Sequence, residues 1–283
     1  MKAFYFQNMD MYDDWNGWQQ KTVYFMDGRF VPVQHIRSKS IKKIDTKERF
    51  IMTPGKVYVD VEYPLSDDRR RNHHVRRYLY QGCSLIISLL PIQTKRDYMI
   101  AYNQYVKSLR NLALDYMVAP KVHIRNLTPD MIRFFGIQKS PFICLEYNHM
   151  QDLKKIKWDW MRQMQALVQI PFATLTPPHD PLRVMLENDS FRLVDQPISS
   201  TPLMKNTLNA TGISPKKGEI SIYGDADFNL YMKSNCQKHS ASNLYKQIPY
   251  ISVIRGNVVK LQYNLQDQSM FGKHYVISIP KYK

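Results

Sequence analysis

The sequence predicts a mixed α/β fold, with an α/β centre carried between two β-rich chain ends. Short runs in which apolar and polar residues alternate fill the first fifty residues, as in "KAFYFQNMDM" and "KTVYFMDGRFVPVQHI", and return near the other end in "YISVIRGNVVKLQYN". That alternation has the period of strands. In the centre, apolar strand runs alternate with segments of helical period, the pattern of βαβ units and a parallel sheet. Neither end carries enough strand to be stable alone in water, so the two are expected to pair into one small β-module. The expected organisation is residues 1–52 and 215–283 as the two parts of that module, with 53–214 as the α/β core.

Each element has its own signal. Asp27-Gly28 marks a hairpin. Residues 53–65, "TPGKVYVDVEYPL", read as a strand with Val57, Val59 and Val61 on one face and Tyr58, Asp60 and Glu62 on the other. Two carboxylates on one strand face repel, so replacing either with alanine is expected to leave folding nearly unchanged. "SDDRRRNHHVRRYLYQG" reads as a helix closed by Gly82. "CSLIISLLP" is the continuous apolar run of a strand buried on both faces. Residues 94–115 have helical period, with Met99, Tyr102, Val106, Leu109, Leu112 and Ala113 on one side.

"DYMVAPKVHIRN" is a further strand. "TPDMIRFFGI" is a helix with Thr128 as N-cap and Pro129 at its first position. "SPFICLEYNH" reads as a strand and "DLKKIKWDWMRQMQALVQ" as one amphipathic helix, with Trp158, Trp160, Met161 and Met164 on its buried face. "IPFATLTPP" is the last strand of the centre. Residues 177–217, rich in Pro, Asn, Ser and Thr, read as a surface connection. "EISIYGDADFNLYMK", "YISVIRGNVVKLQYN" and "HYVISIP" complete the chain as antiparallel strands.

Lys and Arg number 40 against 24 Asp and Glu, a net charge of +16. Such an excess suits an acidic protein surface or a polyanion as partner. The basic residues are spread along the chain, however, and no helix-turn-helix, zinc-finger or aromatic RNA-binding signature accompanies them. A solvated basic surface explains the charge equally well. No apolar run is long enough to span a bilayer, and the first residues lack the pattern of a secretory signal. Cys83, Cys144 and Cys236 are widely spaced and odd in number, which fits buried thiols in a reducing cytoplasm better than disulfides. The expected location is therefore cytoplasmic.

Three stretches resemble the amidohydrolase superfamily, particularly its dihydroorotase and dihydropyrimidinase branch. "DGRFVPV" followed by "IDTKERFIMTPGKVYVDVEYPL" is similar to that family's N-terminal β-module running into its first barrel strand. "QGCSLIISLLPI" is similar to its helix and second strand. "NATGISPKKGEISIYGDADFNLY" resembles its return from barrel to β-module, with Pro215, Lys217, Gly218, Ile220, Gly224, Asp225, Ala226 and Asp227 in register. "RGNVV" resembles the last hairpin of that module. The resemblance implies a TIM-barrel-like core beside a small β-sandwich built from both chain ends. About 150 residues separate Lys56 from Lys205, against roughly 250 for a complete (β/α)₈ barrel, so the core is expected to be a shortened barrel.

The departures from the family pattern bear on chemistry. The two metal-binding histidines of strand one fall at Asp60 and Glu62, Glu146 stands where strand four would offer a carbamylated lysine, and no strand-eight aspartate can be placed. The resemblance thus implies a degenerate, truncated relative that acts through binding or assembly, with no catalytic residues and no cofactor. One alternative is a hydrolase of cyclic amide C–N bonds, with Asp60 and Glu62 joined by His123, Glu146, His149 and His179 as carboxylate-rich ligands. Zinc or another divalent metal belongs to that alternative alone. A second alternative is a basic nucleic-acid-associated protein. Arg69, Arg70, Arg71, Arg76 and Arg77 form an arginine-rich segment that could bind an anion. A homodimer is expected because a shortened barrel leaves sheet edges and apolar faces to be covered.

Overall fold

A computed structural model describes residues 3–13, 17–36, 41–46, 49–154, 156–177, 179–236, 244, 246–266 and 271–277. Along the chain run β1 (Ala3–Asp13), β2 (Gly17–Met26), β3 (Arg29–Phe30), β4 (Lys42–Ile44), β5 (Phe50–Pro54) and β6 (Lys56–Val59). There follow α1 (Arg71–Tyr80), β7 (Cys83–Ile92), α2 (Tyr98–Ser108), β8 (Asp115–His123), α3 (Pro129–Ile137) and β9 (Ile143–Glu146). Next come α4 (Met150–Lys154), α5 (Trp158–Val168), β10 (Phe172–Thr174), α6 (Pro181–Asn188) and α7 (Lys205–Ala210). The last elements are β11 (Phe228–Met232), α8 (Lys233–Cys236), β12 (Ile251–Ile254), β13 (Asn257–Leu261) and β14 (Asn264–Leu265). Two compact units divide the chain. The first takes Met1–Tyr58, Val75–Leu85 and Ser214–Met270, and the second Val59–His74, Ile86–Ile213 and Phe271–Lys283.

In the first unit, strands from both chain ends join one sheet of nine. Its order is β14-β13-β12-β11-β5-β1-β2-β3, with β4 pairing on β1. The join is the antiparallel pair β5–β11, where Thr53 lies opposite Asn229. One face of this sheet buries Phe6, Met9, Phe25, Met52, Phe228, Leu230 and Val253. Each such side chain contributes about 1.5–3 kcal/mol on leaving water. The Phe6 and Phe228 rings meet edge-on at 5.6 Å.

The Asp27-Gly28 hairpin turn has φ of 49° and 82° at its two residues. Both are left-handed, as the turn joining right-twisted strands requires. A Cβ on Gly28 would lie 2.7 Å from the Arg255 carbonyl oxygen. At the end of α1, Gly82 has φ +85°, and its missing side chain leaves room for Asn229 Oδ1 and Pro249 Cγ, each 2.7 Å from where a Cβ would sit.

The segment "SPKKGEISIYGDAD" closes on itself around one lysine. Lys217 Nζ lies 2.6 Å from Asp227 Oδ2 and 2.8 Å from Asp225 Oδ2, with the lysine side chain fully buried. Asp227 Oδ1 accepts a hydrogen bond from the Arg255 N–H at 2.7 Å. Backbone bonds from Ala226 N to Gly28 O at 2.9 Å and from Gly55 N to Asp227 O at 3.0 Å tie the segment to the hairpin and to the start of β6.

In the second unit, the core is a curled parallel sheet in the order β10-β9-β8-β7-β6. The chain's division falls within β6 and β7, after Tyr58 and after Leu85. The expected single strand over 53–65 is two short strands interrupted at Gly55, and regular strand ends at Val59. Helix α3 begins as its sequence requires, with Thr128 Oγ1 accepting from the Met131 N–H at 3.2 Å.

Three expectations are corrected here. The buried side of α2 is Tyr98, Tyr102 and Tyr105, while Met99 is 46% exposed. Tyrosine rings pack edge-on against Phe134 and Phe135 of α3, and they fix the rotation of the helix. The single helix expected from "DLKKIKWDWMRQMQALVQ" is α4 and α5. Trp158 Nε1 donates to the Leu153 carbonyl at 3.0 Å across the break, and Trp160 is 64% exposed rather than buried. The expected connection over 177–217 contains α6 and α7. Asp180 caps α6 through Leu182 N at 2.9 Å with Pro181 in its first turn, and Leu182 and Leu186 are buried.

Residues 271–277 lie with the second unit, where Tyr116 N donates to Lys273 O at 3.0 Å and Tyr275 N to Tyr116 O at 2.8 Å. The end of the expected "HYVISIP" strand and the Cys236 side chain lie outside the described residues. Cys83 and Cys144 are free, buried thiols. Among the described residues no helix is long and apolar enough to cross a membrane.

Candidate functional site

Where parallel strands end together, side chains from several strands converge, and α/β proteins place their sites there. In this chain Asp60 directly follows β6, His123 ends β8, Glu146 ends β9 and Thr174 ends β10.

Asp60 is 1% exposed and fully hydrogen-bonded. Its Oδ1 accepts from Leu89 N at 2.7 Å, and its Oδ2 accepts from Leu65 N at 2.8 Å and from the Ser88 hydroxyl at 2.7 Å. Ser88 has one proton and gives it to Asp60. The Tyr105 hydroxyl, 2.6 Å from Ser88 Oγ, is therefore the donor in that contact. Burial pushes the Asp60 carboxyl up to about 6, against the opposing effect of its hydrogen bonds. Burial also raises the Tyr105 phenol, and the nearby Asp60 adds to it.

Arg71 closes the far side of this network. Its Nε donates to Leu65 O at 2.6 Å, its Nη1 to Ser108 O at 3.2 Å and its Nη2 pairs with Asp68. The guanidinium also lies 6.0 Å from the Tyr105 ring centroid. Glu62, two residues beyond Asp60, is exposed and outside any strand. The paired-carboxylate strand face is thus corrected: the strand stops before Asp60, which turns inward, while Glu62 meets water.

On the sheet, His123 stands opposite Glu146 and Lys121 opposite Cys144, so these four share one face. Lys121 Nζ lies 2.7 Å from Glu146 Oε2. Burial raises the Cys144 thiol to about 12, with Lys121 pulling against it. His123 Nδ1 accepts from the Arg125 N–H at 3.3 Å, which leaves the ring proton on Nε2 when the imidazole is neutral. That Nε2 is buried, makes no hydrogen bond and lies 3.6 Å from Asp152 Oδ2.

Asp152 itself pairs with Arg125 and accepts from His149 N at 3.3 Å. Burial pushes its carboxyl up, but the Arg125 hydrogen bond and the backbone donors outweigh burial and hold it below its ordinary value. His149 and His179 are exposed. Among the described residues, none of Asp60, Glu62, His123, Glu146, His149 and His179 belongs to a group of three side chains close enough to share a metal ion.

Sequence reasoning missed Ser88, Tyr105, Lys121, Arg125 and Asp152. A signal for Ser88 was present, a hydroxyl inside an otherwise apolar run, which must find a partner when buried. Asp152 had one too, three residues after His149 at the start of a helix. Of the arginine segment, Arg71 is a structural clamp, and Arg69, Arg70, Arg76 and Arg77 are exposed.

Comparison with known proteins adds the fold. No family model matches the chain, and no curated protein sequence does. Solved structures do match. A dihydropyrimidinase from Brevibacillus agri aligns at TM-score 0.58 and 10% identity, over 93% of this chain and 96% of that one. A D-hydantoinase aligns at 0.59 and 10%, over 98% and 99%. An adenosine deaminase from Xanthomonas campestris with bound zinc aligns at 0.55 and 10%, over 95% of each chain. The likeness is one of fold. The chain has an amidohydrolase-like architecture with a partial TIM-barrel-like core.

Proposed function

We propose that this protein is a degenerate, shortened relative of the cyclic-amide hydrolases that acts through binding or assembly rather than catalysis. The observation that supports this is the Asp60 carboxylate, at the end of the first parallel strand, with three internal donors on its two oxygens. A carboxylate so engaged has to break buried hydrogen bonds before it can ligate a metal, at about 1–3 kcal/mol for each buried donor left unsatisfied.

The remaining groups fit a zinc centre no better. Zinc takes an imidazole through a nitrogen lone pair. His123 presents a protonated Nε2 in its neutral form, because Nδ1 is the acceptor for the Arg125 N–H. Glu146 faces Lys121 and Asp152 faces Arg125, each already neutralised by a cation. Hydrolysis of an amide ring draws on a bound metal to lower the pKa of water and polarise the carbonyl, and side chains already engaged in this way are poorly placed to hold one. Exposed Arg69, Arg70, Arg76 and Arg77 suit an acidic partner or polyanion as the bound species.

The test is an assay of the purified chain on dihydrouracil, hydantoin and dihydroorotate, with zinc and manganese each supplied. The expected result is no ring opening above the buffer rate. Turnover that depends on added metal and is lost in His123→Ala would establish the hydrolase alternative instead.

A further inference from the structure

Besides Lys217, the first unit buries two further lysines. Lys260 of β13 is 1% exposed and Lys56 of β6 is 3% exposed. Lys260 Nζ donates to the Pro249 carbonyl and lies 4.8 Å from the Tyr80 ring centroid. Lys56 Nζ donates to the Gln247 carbonyl at 2.7 Å and lies 5.8 Å from the Tyr231 ring centroid. The two ammonium groups thus bracket one short segment. Among the described residues, neither makes a salt bridge to a carboxylate. Burial lowers Lys56 to about 7 and Lys260 to about 8.

A buried cation is ordinarily paired. These two have carbonyls and ring faces instead, which offer partial charge and no counter-ion. Lys260 also belongs to a buried polar row that crosses the sheet, Thr53 opposite Asn229, Asn229 opposite Ser252 and Ser252 opposite Lys260. Cross-strand partners point to the same face. Asn229 spends its amide on Gly82 O at 2.9 Å, but the Ser252 hydroxyl is buried without a hydrogen bond. Beside Lys260 opens a pocket of about 250 Å³ whose walls include Tyr80, Tyr231, Tyr250, Gln262 and Tyr263. That volume lies just below the usual range for organic ligands of roughly 300–1,000 Å³, so only a small molecule fits.

We propose that this pocket binds a small planar organic carboxylate, the oxyanion pairing with the Lys260 ammonium and the flat body lying among the tyrosine rings. The ligand supplies a negative charge that, among the described residues, no carboxylate gives these lysines. Aromatic walls favour a flat, apolar body over a bare ion. This site lies in the nine-stranded sheet, and the inference does not depend on whether the parallel-strand ends are catalytic.

The experiment is calorimetric titration of the full chain with benzoate, cyclohexanecarboxylate and inorganic phosphate at constant ionic strength. Benzoate is expected to bind saturably and more tightly than either other anion. Lys260→Met should weaken it roughly thirtyfold or more, as removal of a buried charge-assisted partner does. Lys260→Arg should retain part of the affinity, and Lys95→Met, at an exposed position, should retain all of it. If Lys260→Met does not fold, the melting temperature of the wild-type chain is the second measurement, and benzoate is expected to raise it more than cyclohexanecarboxylate or phosphate does. The proposal is overturned by absence of saturable benzoate binding, by phosphate binding equally well, by unchanged affinity in Lys260→Met, or by a melting temperature that benzoate does not raise.

Discussion

Asp60 and Glu62 show how two identical charges, two residues apart, come to opposite ends. In the sequence they look equivalent on one strand face. Asp60 is buried, with Leu65 N, Leu89 N and Ser88 donating to it, whereas Glu62 is exposed. Asp60→Ala orphans two buried N–H groups and should cost about 2–4 kcal/mol of unfolding free energy in urea titration. Glu62→Ala should stay within about 0.5 kcal/mol of wild type. Equal stabilities for the two variants would contradict the network.

The carboxyl of Asp60 also sets a pH dependence. Its folded pKa, about 6, lies above the ordinary 3.8. Between these values the folded chain binds a proton that the unfolded chain does not. Its contribution is therefore fully present below about 4 and lost as pH rises through about 6. Stability of wild type relative to Asp60→Asn should fall between pH 4 and pH 6, by up to about 1.4 kcal/mol per pH unit. A flat difference across that window would show that Asp60 does not titrate there.

At the scale of elements, some of the fold was legible because local chemistry decided it. Gly82 ends α1 because only glycine takes its left-handed turn and leaves room for Asn229 and Pro249. Thr128 and Pro129 start α3 for equally local reasons. Other features were decided by packing. The rotation of α2 follows its tyrosines meeting Phe134 and Phe135, and a pattern that counts tyrosine with methionine and valine cannot rank them. Helix α6 sits in a stretch whose Pro, Asn, Ser and Thr content reads as a connection, although Asp180-Pro181 is an N-cap followed by a first-turn proline. At the candidate site, Asp60 and His123 were found because acids and imidazoles draw attention. The partners that decide the role of Asp60, Ser88 and Tyr105, come from elsewhere in the chain, and Arg125 acts on His123 through a backbone N–H that no side-chain pattern reveals.

The same scale explains the stretch that most resembles the amidohydrolases. Pro215 to Asp227 holds Lys217 between Asp225 and Asp227, so its chemistry is that of a buried clamp in the first unit. Lys217→Met removes a buried ammonium from between two neighbouring carboxylates. It should destabilise the fold by about 3–5 kcal/mol, the usual cost of breaking a buried pair from one side. Chemical denaturation measures this directly, and a loss below about 1 kcal/mol, as for exposed pairs, would show the clamp to be solvated.

Over the whole molecule, the net charge of +16 overstates the positive surface. Lys56, Lys217 and Lys260 are buried, and Arg71 is bound to its own loop. Among the exposed basic residues, Arg69, Arg70, Arg76 and Arg77 are expected to meet an acidic partner. Replacing all four with alanine should lower the salt needed to elute the chain from heparin. It should also make the salt dependence shallower, by about 0.9 in slope for each anionic group that the arginines had neutralised. Unchanged elution would mean that these arginines serve solubility alone.

An amidohydrolase-like fold that ends its parallel strands in a self-satisfied network, as around Asp60, is expected to hold no zinc there. Calorimetric titration of the metal-stripped chain with zinc tests this most directly, with Asp60→Ala and His123→Ala alongside. The expected result is no tight stoichiometric site and the same weak background in all three proteins. One zinc bound tightly per wild-type chain, and lost in either variant, would contradict it.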